Sequence, residues 1–310
     1  MKSDTETPAV GETRVWFDSD GLRLAGIVAI DGESIEPRPA VILLHGFGAN
    51  KTDGVVTLTA DLLARMGYLT IRFDMRGCGE SEGVPARVLC EEQVRDVQNC
   101  VTYLRSLPGV DPARIAVLGH SFGAAVAVYA AAVDTRIAAC ISSAGWGDGT
   151  AKLRQQHRAE GAWEKFMAMV QRGRASLAAG RPMNVSRFDI VPIPVHLRSG
   201  LPAGSHMEFP FEVVESMLAF RPVDVVARIA PRPLLLLHPA ADAVTPSEQS
   251  IELFRHAAMP TDLHLFAGID HFIFSDDNTI VLDLLSGWLQ RHLPLGGQVA
   301  THAPAESALA

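Results

Sequence analysis

The 310-residue sequence is short of several features that would narrow its function quickly. It has only four cysteines, Cys78, Cys90, Cys100 and Cys140, and no two form a C-x-x-C pair. A zinc ribbon and a dithiol redox motif are thereby excluded, and the thiols read as small apolar residues of a reducing compartment. Basic residues are too few for a nucleic-acid binder: Lys+Arg 27 against Asp+Glu 35 leaves a net charge of −8, whereas nucleic-acid partners select basic surfaces. The longest apolar stretch, Ala124 to Val133, stops at Asp134, well short of the ~20 residues a membrane helix needs. The first ten residues, MKSDTETPAV, contain no apolar core of a signal peptide. No H-E-x-x-H stands among the eleven histidines, with His196 and His206 in an unpatterned stretch, so no metal is expected. Gly77-Cys78-Gly79 lacks the Lys-Ser/Thr of a phosphate loop, and no organic cofactor is implied. These absences favour a cytoplasmic protein with neither a nucleic-acid nor a membrane partner.

What is present is 48% hydrophobic residues, enough for a large core without disulfides. The pattern alternates strands and helices, which predicts an α/β fold with a mainly parallel sheet covered on both faces. Strands are expected at Arg14–Phe17, Leu22–Ile30, Ala40–Leu44, Tyr68–Phe73, Ile115–Leu118, Ile137–Ser142, Pro233–Leu237 and Leu263–Phe266. Helices are expected at Val55–Met66, Glu91–Leu107, Phe122–Val133, Pro246–His256 and Thr279–His292. From about Gly145 to Pro222 this rhythm fails, and the stretch includes Val191-Pro192-Ile193-Pro194. The expected division is a core of residues 1–144 and 223–294, an inserted, partly helical lid over 145–222, and a disordered tail over 295–310.

The strongest chemical signal is Gly119-His120-Ser121-Phe122-Gly123, between an expected strand and an Ala-rich helix. Such a turn lifts a serine hydroxyl above the sheet edge and tolerates only small flanking residues; the plain alternative is a helix N-cap. A serine needs a base, and the base an orienting acid. Asp242 stands a short loop beyond the strand Leu234–Leu237, and His271 follows the next strand in Gly268-Ile269-Asp270-His271. Carboxyl ends of parallel strands are where such sites assemble. Asp270 would have to fold back onto its neighbour's ring, Asp224 reads as an N-cap, His264 lies within a strand, and His238 ends the Leu run at the edge of the site. For the oxyanion, backbone donors are expected at Phe122 and at Phe47, in the loop His45-Gly46-Phe47-Gly48-Ala49-Asn50.

These stretches, with Asp74-Met75-Arg76-Gly77-Cys78-Gly79-Glu80-Ser81, Pro246 and Gly268, resemble the serine hydrolases of the α/β-hydrolase superfamily. The likeness covers roughly residues 15–293. It is nearest to bacterial esterases of the feruloyl-esterase and dienelactone-hydrolase-like groups, carried by His45-Gly46-Phe47, Asn50-Lys51 and Arg72-Phe73-Asp74. It implies an α/β-hydrolase fold with a Ser121–His271–Asp242 triad and Phe47 and Phe122 at the oxyanion hole. Ala124 replaces the second glycine usual in prolyl-oligopeptidase-like peptidases. Ser121 stands where dehalogenases carry Asp and dienelactone hydrolases proper carry Cys, which disfavours both chemistries.

The expected reaction is hydrolysis of a small-molecule carboxylic ester through an acyl-enzyme. Amide, peptide, thioester or carbon–carbon cleavage by the same residues remains open, as does a non-hydrolytic ligand-binding role. Trp146, Trp163, Phe166 and Met167 are expected to line an apolar substrate pocket, with lid core as the alternative. The lid arginines Arg154, Arg158, Arg172, Arg174, Arg181, Arg187 and Arg198 read either as a solvated face or as a patch for a substrate carboxylate.

Overall fold

A computed structural model describes residues 10–32, 36–275 and 277–296. The N-terminal stretch read for a signal peptide lies outside these residues, apart from Val10, and so does most of the tail expected to be disordered. The chain opens on a hairpin of β1 (Gly11–Ser19) and β2 (Leu22–Ile30), turning through Asp20 and Gly21, both at positive φ. There follow β3 (Arg38–Leu44), α1 (Gly54–Arg65), β4 (Leu69–Phe73), α2 (Cys90–Arg105), β5 (Val110–His120), α3 (Phe122–Val133) and β6 (Ala139–Ser143). Asp53 caps α1 by accepting the Val55 N–H at 3.0 Å. Gly67, at φ +102°, ends that helix.

The stretch without clear rhythm holds α4 (Gly149–Gln156), α5 (Ala162–Ala178), β7 (Asn184–Ser186), α6 (Arg187–Ile190), β8 (Glu208–Pro210) and α7 (Glu212–Ala219). Its strands are only three residues long and pair only with each other, which is why no alternation marks them. The chain closes with β9 (Leu234–Pro239), α8 (Glu248–His256), β10 (Thr261–Phe266) and α9 (Thr279–His292).

Eight strands form one sheet in the order β1-β2-β4-β3-β5-β6-β9-β10. β1 and β2 pair antiparallel, as do β2 and β4; every later pairing is parallel. The central strands are buried on both faces, so they read as apolar runs whose alternate residues serve two cores. Ile42, Val117 and Leu236 join the core under α2 and α3, while Val41, Leu118 and Leu235 join the one under α1 and α9. The first core continues into residues 145–222 through Trp146, Phe166, Phe209 and Phe211. This is the α/β-hydrolase fold. No helix among the described residues is long and apolar enough to cross a membrane.

Strand order decides where a site can form. After β3 the chain steps to β4 on one side and then to β5 on the other. The loops leaving β3 and β5 therefore diverge and open a crevice at the carboxyl edge. Residues 45–50 and Ser121 stand on its two sides.

Candidate active site

Ser121 occupies the turn between β5 and α3 at φ +55° and ψ −114°, a conformation costly for a residue with a side chain. Its N–H donates to the Ser143 carbonyl at 2.8 Å. A Cβ on Gly119 would overlap the Gly123 carbonyl, and one on Gly123 would come within 2.5 Å of the His45 carbonyl. The small residues flanking the serine are therefore required by backbone contact. Side chains there would push α3 off β5 and the loop after β3.

His271 Nε2 lies 3.0 Å from Ser121 Oγ, and its Nδ1 lies 2.8 Å from Asp242 Oδ2. Asp242 accepts at Nδ1, so Nδ1 carries the proton and Nε2 presents its lone pair to the serine hydroxyl. The other Asp242 oxygen, Oδ1, accepts the N–H groups of Val244 at 2.7 Å and Thr245 at 2.8 Å. Burial alone would raise the Asp242 carboxyl, but His271 and His238 together hold it well below the usual carboxylate range. Asp242 is thus an anion at neutral pH. Asp270 takes another part: Oδ1 accepts the N–H groups of Ala243 and His271, fastening the two loops together.

His238 is fully buried behind the acid. Its Nε2 lies 2.9 Å from the Thr245 carbonyl, so that nitrogen donates, and it stands 3.5 Å from Asp242 Oδ2. Nδ1 is left to accept from Ser250 Oγ at 2.7 Å. His238 therefore braces the acid's loop from within, which its place at the end of a Leu run did not disclose. His120, beside Ser121, has its ring 4.9 Å from that of His271. Burial, followed by the neighbouring His271, pushes its pKa well below the usual histidine range, so no second cation forms beside an imidazolium at His271.

The loop after β3 is held from three sides. His45 Nε2 accepts the Met75 N–H at 3.2 Å, leaving Nδ1 to donate to the Gly46 carbonyl at 2.9 Å. Lys51 Nζ donates to the fully buried Asp74 at 2.6 Å and also to Glu80, and Asp74 accepts the N–H groups of Lys51 and Glu80. The acidic and glycine-rich stretch after β4 thus acts as a clamp on this loop. The third support comes from Arg187 in α6, whose Nη2 donates to the Phe47 carbonyl at 2.7 Å. Phe209 stacks on Phe47 with ring centroids 4.2 Å apart. The Phe47 and Phe122 N–H groups, one at the loop and one at the first turn of α3, flank Ser121 and have no partner among the turn and cap hydrogen bonds of the described residues.

A small cavity of about 40 Å³ lies over Ser121 and His271. Its apolar wall comes from Phe47, Val191, Ile193, Leu201, Val244 and Phe272, with Asp53, His120 and Arg187 as polar members. The pocket expected from sequence has to be corrected, because Trp146, Trp163, Phe166 and Met167 are not among the lining residues. Trp146, 1% exposed, packs against Phe122 and Phe220 in the core. Trp163 stacks on Phe166, which in turn meets His157, and Met167 packs against the same core. Large apolar side chains on α5 are drawn into the interior beneath the segment. The wall instead uses the Pro-rich stretch at Val191 and Ile193, whose apolar residues carry no helical or strand period.

Lys152 in α4 is also buried, with Nζ 5.7 Å from the Trp146 ring centroid and no carboxylate within 4 Å among the described residues. Burial lowers its pKa to about 7. The ordinary value in an unfolded chain is ~10.4. A depressed lysine pKa makes folding with the charged amine costly. That cost is full below pH 7 and fades as pH rises from 7 towards 10.5. Lys152→Met is accordingly expected to stabilise the protein by roughly 2–4 kcal/mol at pH 6 and by little near pH 10. Urea unfolding at the two pH values checks this; an equal or greater gain at pH 10 would contradict it.

The sequence profile of a family described as alpha/beta hydrolase fold matches residues 39–189. Thiohydrolase aneE of Aspergillus aculeatus is 27% identical over 296 residues, covering 87% of this chain and 89% of its own. Polyketide transferase grgF of a Penicillium species is 28% identical over 288 residues, covering 88% and 94%. Among solved structures, Est1E of Butyrivibrio proteoclasticus with ferulic acid bound superposes at a TM-score of 0.66 and 20% identity, covering 90% of this chain and 98% of Est1E.

Proposed function

Because this chain belongs to the α/β-hydrolase superfamily, we propose that it is a serine hydrolase that cleaves a small carboxylic ester through an acyl-enzyme. The observation that carries this reading is the hydrogen-bonded run from Asp242 through His271 to Ser121. His271 Nε2 takes the Ser121 proton as Oγ attacks the carbonyl carbon. The oxyanion is held by the Phe47 and Phe122 N–H groups. Asp242 fixes the ring tautomer and stabilises the imidazolium. Collapse breaks the bond to the leaving oxygen, which takes the proton from His271. Water, deprotonated by the same nitrogen, then attacks the acyl-enzyme, the Ser121 Oγ–acyl bond breaks, the proton returns to Oγ and the acid is released.

Residues 145–222 act as the lid, supported by the contacts that Arg187, Phe209 and His206 make with the loop after β3. The cytoplasm is the compartment of this activity. Its support is that all four cysteines are free and buried, with the Cys90 thiol pushed up to about 12 by burial.

A second reading, thioester cleavage, is favoured by the name thiohydrolase borne by two relatives. The same steps apply, with a thiolate as the leaving group. The test is rapid acid quenching of the enzyme after mixing with p-nitrophenyl butyrate, followed by peptide mass analysis. A butyryl adduct on the Ser121 peptide is expected; its absence while ester is being consumed would remove the acyl-enzyme proposal. Matched ethyl and S-ethyl butyrates then decide between oxygen and sulfur leaving groups by their kcat/KM.

A further inference from the structure

Eight arginines stand between residues 145 and 222, and the structure separates one from the rest. Arg174 pairs with Glu215, Arg221 with Asp148 and Asp224, Arg198 lies over the Phe188 ring, and Arg154, Arg158, Arg172 and Arg181 are exposed. Arg187 is 1% exposed and lines the cavity over Ser121. Its guanidinium lies over the rings of Phe47 and Phe209, at 5.4 and 5.5 Å from their centroids. Nε donates to the His206 carbonyl and Nη2 to the Phe47 carbonyl, each at 2.7 Å. Nη1 has no hydrogen-bond partner among the described residues, and no carboxylate lies within 4 Å of the guanidinium.

Asp53 acts on this cation only through space, and a dehydrated cation with no ion-pair contact is expensive in a protein interior. Burial lowers the Arg187 pKa only to about 10, so it remains charged at neutral pH. Asp53, the other ionisable wall residue outside the triad's own loops, is occupied by the N–H groups of Val55 and Gly46. The remaining wall is largely apolar. A guanidinium that only braced the Phe47 carbonyl would need no charge, since a neutral amide donor could do the same. A planar cation with an open donor suits a carboxylate.

We propose that the cavity takes an acyl group ending in a carboxylate, that of a monoester or monothioester of a short dicarboxylic acid, anchored by the open edge of Arg187. This rests on the serine-hydrolase reading above. The anchor fixes the acyl chain on one side of Ser121, and the leaving group exits on the other. The cavity over Ser121 is small, which confines the acyl group to a short chain between the two ends.

The test compares monoethyl glutarate with its neutral isostere, the ethyl ester of glutaramic acid, on the wild-type protein and on Arg187→Gln. The wild type is expected to favour the anionic ester by about 10- to 100-fold in kcat/KM, the usual range for one charge-assisted hydrogen-bond partner. Arg187→Gln is expected to bring the preference close to one. Loosening of the Phe47 loop would slow both esters alike, so only the ratio reports the anchor. Should Arg187→Gln fail to fold, competition on the wild type serves instead: glutarate is expected to inhibit at a concentration at least tenfold below butyrate. A neutral ester hydrolysed as well as the anionic one, a ratio unmoved by the substitution, or equal inhibition by the two acids would overturn the proposal. Failure of the serine-hydrolase reading looks different: neither ester is consumed, and Ser121→Ala matches the wild type.

Discussion

Ser121→Ala is expected to lower kcat by about 10⁴- to 10⁶-fold against any substrate the protein hydrolyses, while its thermal unfolding stays close to that of the wild type. The size follows from the way the site is linked. His271 Nε2 accepts the Ser121 hydroxyl at 3.0 Å, and Asp242 orients the ring through Nδ1 at 2.8 Å. In the proposed mechanism, removing Oγ removes the atom that would form the covalent bond, and His271 and Asp242 would then activate nothing. Residues acting as one unit lose most of their joint effect when any one goes. What survives should come from the proposed oxyanion donors and substrate binding, a residual of about 10³–10⁴ over water. His271→Ala added to Ser121→Ala should therefore cost little more. Steady-state kinetics on both variants check this, and a loss of less than tenfold in Ser121→Ala would show that another group attacks the substrate.

Gly119→Ala is expected to cost about 4 kcal/mol or more and to abolish activity in whatever protein folds. The added Cβ meets backbone on every side: the Gly123 carbonyl and the Ala124 nitrogen, both in the first turn of α3. Backbone atoms at a helix start cannot rotate away as a side chain can. Relief would require lifting α3 from β5, which exposes the buried Ala125, Val126 and Val128. Gly109→Ala is the control. Nothing lies within 4 Å of the new Cβ and φ there is not positive, so its effect should stay within about 0.5 kcal/mol. Urea unfolding of the two variants separates them, and similar midpoints would show that the turn after β5 yields more easily than these contacts imply.

Residue pattern by itself determined the parallel sheet, because each central strand is buried on both faces and must read as an unbroken apolar run such as Ala40–Leu44 or Leu234–Leu237. It also singled out Ser121, Asp242 and His271, since each lies in a loop that follows a strand. Loops leaving the carboxyl edge of one parallel sheet face the same crevice whatever else the chain does. The strand β5 proved longer at its start than Ile115–Leu118, because Asp111-Pro112-Ala113-Arg114 carries no strand signal.

Only the tertiary structure decided which residues enclose that crevice. Arg187 meets the Phe47 carbonyl across 140 positions of chain, and Asn50 meets the Ala203 carbonyl across 153. Neither partner leaves a mark in the other's local sequence. Trp146 and Phe166 look like pocket residues by size and hydrophobicity, yet the same properties draw them into the core. An apolar side chain gains as much from one dry surface as from another, so hydrophobicity indicates that a residue is buried without indicating against what. Hydrogen-bonding and charged groups are bound by geometry. That is why Arg187 and His238 acquire meaning only when the distances around them are known.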